Sequence, residues 1–344
     1  MIGISPPSSL RRLFRTGRIR IPVSSDRKYS TSQPNHVQTL LRNSELTEED
    51  AINELRWITQ EVREKAIRQI SRGRMPEVEE DSIAEKVKRR GRGEPIQYIL
   101  GTTDFGPLTI QCRRPVLIPR PETAHLTQQL SSLILSSIPP LTSRDRPSAP
   151  LNILDLCSGT GCIGLLLAKL TPLSNVTGID NSPVAVQLGM INARDSHLDE
   201  RVKFKYGNMF TTDPTSLLST GGKYGLIISN PPYIPYSQYQ SLPASVREYE
   251  SPNALLGDGS DDKEGKGLKY YERIAEILSD LLLDQEELEA KGWKGILRLA
   301  LEIGQGQAGD VLDIVKSSKG GLIGKTEVWK DQFGVERMVV GWGK

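Results

Sequence analysis

The run Ile227-Ile228-Ser229-Asn230-Pro231-Pro232-Tyr233-Ile234 is the most informative stretch of this 344-residue chain. An apolar segment ends abruptly in two prolines. Proline lacks an N–H and fixes φ, so a β-strand must stop there. One asparagine and one tyrosine are left at the strand's carboxyl end, the edge of an open α/β sheet where ligands sit. The Asn230 side chain carries a carbonyl acceptor and an NH₂ donor. The Pro231 carbonyl is a second acceptor, held in place by the flanking rings. Two fixed acceptors can grip the two N–H bonds of a planar NH₂ group, with Pro232 beside them and Tyr233 flat against it. Such a site would hold an amide or amino nitrogen still during a reaction.

The region before this strand supplies a nucleotide-like site. Leu151-Asn152-Ile153-Leu154-Asp155-Leu156 reads as a buried strand running into Cys157-Ser158-Gly159-Thr160-Gly161-Cys162-Ile163-Gly164 and an apolar helix. Glycines let the backbone approach a ligand, and a helix N-terminus faces it. Gly159, Gly161 and Gly164 match the dinucleotide pattern G-x-G-x-x-G, so this loop alone does not separate NAD from S-adenosylmethionine. Cys157 carries a Cβ, and the expectation is a negative φ there. A second strand, Val176 to Asp180, places Asp180 19 residues past Gly161, where an acid can hold ribose hydroxyls. A third strand, Val202 to Tyr206, leads into Gly207-Asn208-Met209-Phe210.

Asn-Pro-Pro-Tyr resembles the motif of methyltransferases that modify planar nitrogens: adenine-N6 and cytosine-N4 DNA enzymes, some guanine-N2 RNA enzymes, and the glutamine-N5 enzymes of the HemK/PrmC family. Other stretches choose among them. Glu94-Pro95-Ile96-Gln97-Tyr98-Ile99-Leu100-Gly101 and Leu117-Ile118-Pro119-Arg120-Pro121-Glu122-Thr123 look like the linker of HemK/PrmC proteins. Tyr249-Glu250-Ser251-Pro252-Asn253-Ala254-Leu255 and Leu301-Glu302-Ile303-Gly304 also resemble that family. Departures are Cys157, where methyltransferases usually have the first loop glycine, Asn208 in place of an aspartate, and a charged Gly257–Gly267 insertion, read as a flexible loop near the site mouth. The last two strands, near Leu322–Trp329 and Val335–Trp342, form a terminal hairpin that suits a methyltransferase sheet and weakens the NAD reading.

Four segments follow. Residues 1–32 hold seven basic residues against one acid, Asp26, with Ser, Thr and Pro between. That composition is a mitochondrial transit signature, the bland alternative being a disordered basic tail. Residues 35–91 read as a small helical, substrate-recognising domain, with Thr47 as an N-cap and another helix capped by Asp81 or Ser82. The Lys86–Arg90 run reads as a solvated helix end or, more weakly, as a contact for a partner surface. Residues 92–120 read as a β-hairpin linker and 121–344 as the cofactor-binding catalytic domain.

Composition is ordinary for a globular protein, with 37% hydrophobic and 25% charged residues. Net charge is +2, and without the basic first segment the rest is mildly acidic, which argues against unassisted binding to a long nucleic acid. Cys112, Cys157 and Cys162 show no metal spacing, three histidines lie far apart, and no apolar run approaches ~20 residues. No metal, no stable membrane contact and a monomer are expected.

The fold expected is α/β: a class I S-adenosylmethionine-dependent methyltransferase, Rossmann-like, with a seven-stranded sheet ending in an antiparallel hairpin. The resemblance covers residues 47–344. It implies S-adenosylmethionine as cofactor, held by Cys157, Ser158, Gly159, Thr160, Gly161, Asp180, Met209 and Asn230. It implies catalysis by Asn230, Pro231 and Tyr233, and substrate contacts by those residues with Pro232, Arg120 and Glu122. The substrate implied is the glutamine of Gly-Gly-Gln in a class I peptide chain release factor, here in the mitochondrial matrix. Two rivals remain: a nucleic-acid base methyltransferase acting on adenine-N6 or guanine-N2, and a non-catalytic release-factor or ribosome adaptor.

Overall fold

The structure is a computed structural model that describes residues 35–75, 79–139, 146–218 and 222–344. Residues 1–34, which include the basic segment, and residues 76–78, 140–145 and 219–221 lie outside the described residues. The chain divides into two compact units, one ending at Asp104 and taking in Pro243–Tyr249, the other holding Phe105–Leu242 and Glu250–Lys344.

The first unit is helical: α1 (His36–Leu40), α2 (Glu48–Ser71), α3 (Glu79–Gly91) and α4 (Ile96–Leu100). Thr47 caps α2 through its hydroxyl, and Asp50 returns the bond to the Thr47 N–H at 3.1 Å, a reciprocal cap. Leu40, Ile58, Val62, Ile83, Val87, Ile96 and Ile99 form its core. Two expectations are corrected here. α3 starts at Glu79, before Asp81, and residues 96–100 are helix rather than hairpin strand. The reason in the second case is Gly101, whose φ of +79° closes a short helix that the apolar run alone does not announce. The basic run is largely consumed internally. Arg90 grips buried Glu54 at 2.6 and 3.0 Å, Arg89 meets Glu94 at 2.8 Å, and Lys86 Nζ donates to Ile99 O at 2.6 Å.

Strands β1 (Thr102–Phe105) and β2 (Leu108–Gln111) pair as a hairpin. The second unit is built on a sheet of β3 (Leu151–Leu156), β4 (Ser174–Asp180), β5 (Val202–Tyr206), β6 (Leu226–Ser229), β7 (Leu297–Glu302), β8 (Ile323–Lys330) and β9 (Glu336–Gly343). Its order is β5-β4-β3-β6-β7-β9-β8, parallel except for β9, which runs antiparallel to both neighbours. The helices in chain order are α5 (Pro121–Ser136), α6 (Cys162–Leu170), α7 (Pro183–Asp195), α8 (Tyr236–Tyr239), α9 (Ala244–Arg247), α10 (Lys269–Leu281), α11 (Gln285–Ala290) and α12 (Ala308–Lys316), of which α9 belongs to the first unit. Alternate residues of one strand enter different cores: Ile153 and Ile228 on one face, Leu154 and Ile227 on the other. A sheet buried on both faces explains why its strands read as continuous apolar runs. Strand order reverses between β3 and β6, so their carboxyl ends flank a crevice, the place where open α/β sheets bind ligands.

Phe204 on β5 sets the shape of that crevice. A Cβ added to Gly161 would lie 2.3 Å from its ring, one on Gly178 2.5 Å and one on Gly189 2.9 Å. Three elements are thus pressed against one aromatic side chain, and the loop after β3 is held down where a ligand can pass above it.

Candidate active site

The crevice is a cavity of about 360 Å³ at the carboxyl ends of β3, β4, β5 and β6. Of the residues singled out from sequence, Cys157, Gly159, Asp180, Met209, Asn230 and Pro232 line it. The chain turns sharply after β3, with Cys157 at φ +59°, Gly159 at +54° and Gly161 at +80°. The negative φ expected of Cys157 is therefore overturned. The turn needs a left-handed residue at the strand's end, and cysteine adopts it at a cost of about 1–2 kcal/mol. A Cβ at Gly159 would meet nothing within 4 Å, so open space lies above this glycine.

Asp180 organises the loop from β4. Its Oδ2 accepts the Gly159 N–H at 2.8 Å and its Oδ1 accepts the Ser182 N–H at 2.9 Å. Each oxygen keeps a lone pair for a ligand hydroxyl. Burial raises the Asp180 pKa, and the two N–H bonds oppose that rise. Asn192 clamps the loop from below, donating to Thr160 O at 2.9 Å while its Oδ1 accepts the Gln111 N–H at 2.7 Å. Ser158 Oγ is buried and makes no hydrogen bond among the described residues. Asn208 spends its Oδ1 on the Phe210 N–H at 3.0 Å, a local turn any Asx residue can make. Met209 is buried, with its carbonyl held by Arg273 Nε at 2.7 Å.

At the other end of the cavity, Ser229 Oγ donates to Leu156 O at 2.8 Å and ties β6 to β3 just before Asn230. The Asn230 side chain makes no hydrogen bond among the described residues and borders the cavity. Pro231 and Tyr233 do not line it. Tyr233 packs on the core beneath, where burial raises its hydroxyl pKa well above the ordinary tyrosine value.

Arg120 and Glu122 are likewise outside the cavity lining. Arg120 Nη2 donates to Glu250 Oε1 at 2.7 Å, and the other Glu250 oxygen accepts the Ile118 N–H at 3.1 Å. Glu250 is fully enclosed, so this pair staples two distant stretches of the second unit. Glu122 lies in the first turn of α5, where a carboxylate suits the helix dipole. Beside it in chain, Thr123 Oγ1 donates to buried Glu302 at 2.7 Å. Burial pushes the Glu302 pKa up to about 7, with Thr123 and Arg337 opposing.

Sequence reasoning missed Asn253 and Tyr270 as lining residues. Asn253 lies in the Tyr-Glu-Ser-Pro-Asn-Ala stretch, which was a usable signal. Tyr270 had none: it meets Phe210 edge-on at 5.0 Å, a tertiary pairing.

Residues 35–101 match the PrmC N-terminal domain family, and residues 147–255 match a methyltransferase domain family. A release factor glutamine methyltransferase of Thermodesulfovibrio yellowstonii is 33% identical over 75% of this chain and 80% of its own length. The chain belongs to the release factor glutamine methyltransferase family. One from Fusobacterium nucleatum is 34% identical over 74% of this chain, which spans 61% of that relative's length. Among solved structures, the N-terminal domain of human METTL16 is 17% identical over 75% of this chain and 81% of its own, with a TM-score of 0.46.

The release factor glutamine methyltransferase family and its methyltransferase domain make S-adenosylmethionine the cofactor and set the NAD reading aside. The lining suits it: an acid with two accepting oxygens, open space above Gly159, and apolar Ile179 and Met209 on the walls. Among the described residues no cluster of His, Cys, Asp or Glu could hold a metal, and no helix is long and apolar enough to cross a membrane.

Proposed function

We propose that this protein methylates the side-chain amide nitrogen of the glutamine in the Gly-Gly-Gln motif of a class I peptide chain release factor in the mitochondrial matrix. One observation carries the chemistry. The Asn230 amide borders the same cavity as Asp180 and Cys157 and makes no hydrogen bond within the described protein. A free, fixed acceptor beside the cofactor cavity suits a planar NH₂ group. Family membership supports the glutamine, and the Arg- and Ser-rich first segment supports the organelle.

S-adenosylmethionine, when bound, supplies an electrophilic methyl group on a cationic sulfur. The protein's own part is alignment. Asp180 would accept from ribose hydroxyls, and Ile179 and Met209 would flank the base. Asn230 Oδ1 and the Pro231 carbonyl would accept the two amide N–H bonds, with Pro232 beside them on the cavity wall and Tyr233 supporting the tetrapeptide from the core beneath. An amide nitrogen is a poor nucleophile because its lone pair is delocalised. Fixing it in line with the methyl supplies several kcal/mol of barrier lowering. The two acceptors also favour the positive charge that develops on nitrogen.

Mass spectrometry of the organellar release factor, after incubation with protein and S-adenosylmethionine, tests this. One added methyl on the Gly-Gly-Gln glutamine is expected. Methyl transfer into nucleic acid with an unmodified release factor would overturn it. A reporter fused behind residues 1–35 should enter mitochondria, and one that stays in the cytosol rejects the localisation.

A further inference from the structure

We infer that Gln307 is a positioning residue: it clasps the carbonyl of Tyr233 to the charged Gly257–Gly267 segment, and so holds the acceptor tetrapeptide in its working geometry. This rests on the glutamine-methylating role proposed above. Gln307 is buried at the start of α12 and uses its whole side-chain amide. Nε2 donates to Tyr233 O at 2.9 Å and to Lys266 O at 2.8 Å. Oε1 accepts the Gly304 N–H at 2.8 Å. The partners fix the orientation of the amide, because carbonyls only accept and a backbone N–H only donates.

The surroundings leave the clasp no slack. Gly267 has φ +79°, and a Cβ there would fall 2.0 Å from Tyr233 O and 2.8 Å from Gln307 Nε2. A Cβ on Gly304 would fall 2.8 Å from Gln307 Oε1 and 3.1 Å from the Tyr233 ring. The charged segment is pinned at its base. Asp258 accepts from the N–H groups of Gly267, Leu268 and Lys269, the last two at 3.1 and 3.3 Å. On the downstream side of Tyr233, Ile234 N–H donates to Leu255 O at 2.8 Å and Gly257 N–H to Ile234 O at 3.1 Å.

These bonds matter because of what the prolines leave undone. Pro231 and Pro232 fix their own φ, so the remaining freedom of the tetrapeptide is concentrated at Tyr233. Gln307 removes that freedom from one side and Ile234's two bonds remove it from the other. The segment read from sequence as a flexible loop is therefore anchored at its base to the site. Gln307 is not among the residues that line the cavity, and its effect on chemistry runs through Tyr233.

The test compares wild type with Gln307→Ala, Gln307→Glu and Gly267→Ala in the full-length chain. Four quantities are read: S-adenosylmethionine affinity by calorimetry, thermal stability, single-turnover methylation of the release factor, and the rate of tryptic cleavage after Lys263 and Lys266. All three variants should bind S-adenosylmethionine as wild type does. Methylation should slow roughly tenfold to a hundredfold, the scale of a ~1 Å misplacement. Cleavage after Lys263 and Lys266 should accelerate in both Gln307 variants. Glu is the informative one, because it fills the same space and keeps the acceptor for Gly304 but loses the NH₂ that binds both carbonyls. Wild-type rates and cleavage in Gln307→Glu would overturn the clasp. Parallel loss of cofactor affinity and thermal stability, with methylation falling no further, would reduce Gln307 to a packing residue and overturn it equally. If wild type fails to methylate the release factor, the functional reading falls while cleavage and affinity still decide the clasp.

Discussion

Asp180 Oδ2 accepts the backbone N–H of Gly159 at 2.8 Å, so the acid ending β4 and the turn after β3 form one unit. The carboxylate has two tasks: it shapes the loop, and it leaves lone pairs facing the cavity. Asp180→Ala removes both and should weaken S-adenosylmethionine binding at least about tenfold, the scale of a charge-assisted hydrogen bond. Asp180→Asn should be nearly as damaging. Its single oxygen cannot accept from both Gly159 and Ser182, and its NH₂ must face one of those donors. Calorimetric titration of both variants checks this, and an Asn variant binding like wild type would limit Asp180 to a ligand contact.

Phe204 predicts a ranking among glycines. Gly178→Ala puts a Cβ 2.5 Å from a ring already confined by Gly161 and Gly189. It should cost about 1–3 kcal/mol, the range for overpacking a core. Gly159→Ala meets no atom within 4 Å and pays only for its left-handed φ, about 1–2 kcal/mol. Phe204→Leu should partly rescue Gly178→Ala but not Gly159→Ala. Urea denaturation of the single and double variants reads out the coupling.

Glu302 makes stability depend on pH in an identifiable window. Its folded pKa lies near 7, above the ordinary 4.5, because burial disfavours the charge. Between those values the folded state binds more protons than the unfolded state, so this group's contribution falls as pH rises and is fully lost above about 7. Glu302→Gln keeps an acceptor for Thr123 and removes the titration. Relative to wild type, the variant should gain stability steadily from pH 4.5 to 7 and hold a constant difference beyond, about 3 kcal/mol at ~1.4 kcal/mol per pKa unit. Chemical denaturation at several pH values follows it, and a difference independent of pH would mean that Glu302 stays ionised.

The legible features and the hidden ones separate by distance along the chain. The strands were readable because a sheet buried on both faces needs continuous apolar runs, and Ile227–Ser229 or Leu151–Leu156 cannot be much else. Asp180 and Asn230 were readable as cavity-lining because the first ends such a strand and the second follows one directly. The Arg120–Glu250 pair was not legible, because Glu250 lies 130 residues away and nothing local announces it. Gln307 is hidden for the same reason, with its Tyr233 partner 74 residues off. Cys157 was misread in the opposite sense. Residue preference favours negative φ, but closing the turn between β3 and α6 outweighed it.

Asn230 separates chemistry from binding. Its side chain borders the cavity with no protein hydrogen bond, so Asn230→Ala removes an acceptor without breaking an internal network. The cavity walls at β3, β4 and β5 are untouched, and S-adenosylmethionine affinity should change little. If Asn230 positions a planar NH₂ group, turnover should fall by about a hundredfold or more, the scale of losing one preorganised polar group. Asn230→Asp is the sharper comparison. It keeps an oxygen at the same place and adds a negative charge beside a cationic cofactor, which stabilises ground and transition states alike and so gains nothing in rate. Asp should therefore retain more activity than Ala and less than wild type. Single-turnover methylation of the release factor for all three proteins decides it. Equal rates would leave Asn230 as a strand terminator, and the free acceptor at the end of β6 would then have no part in the transfer.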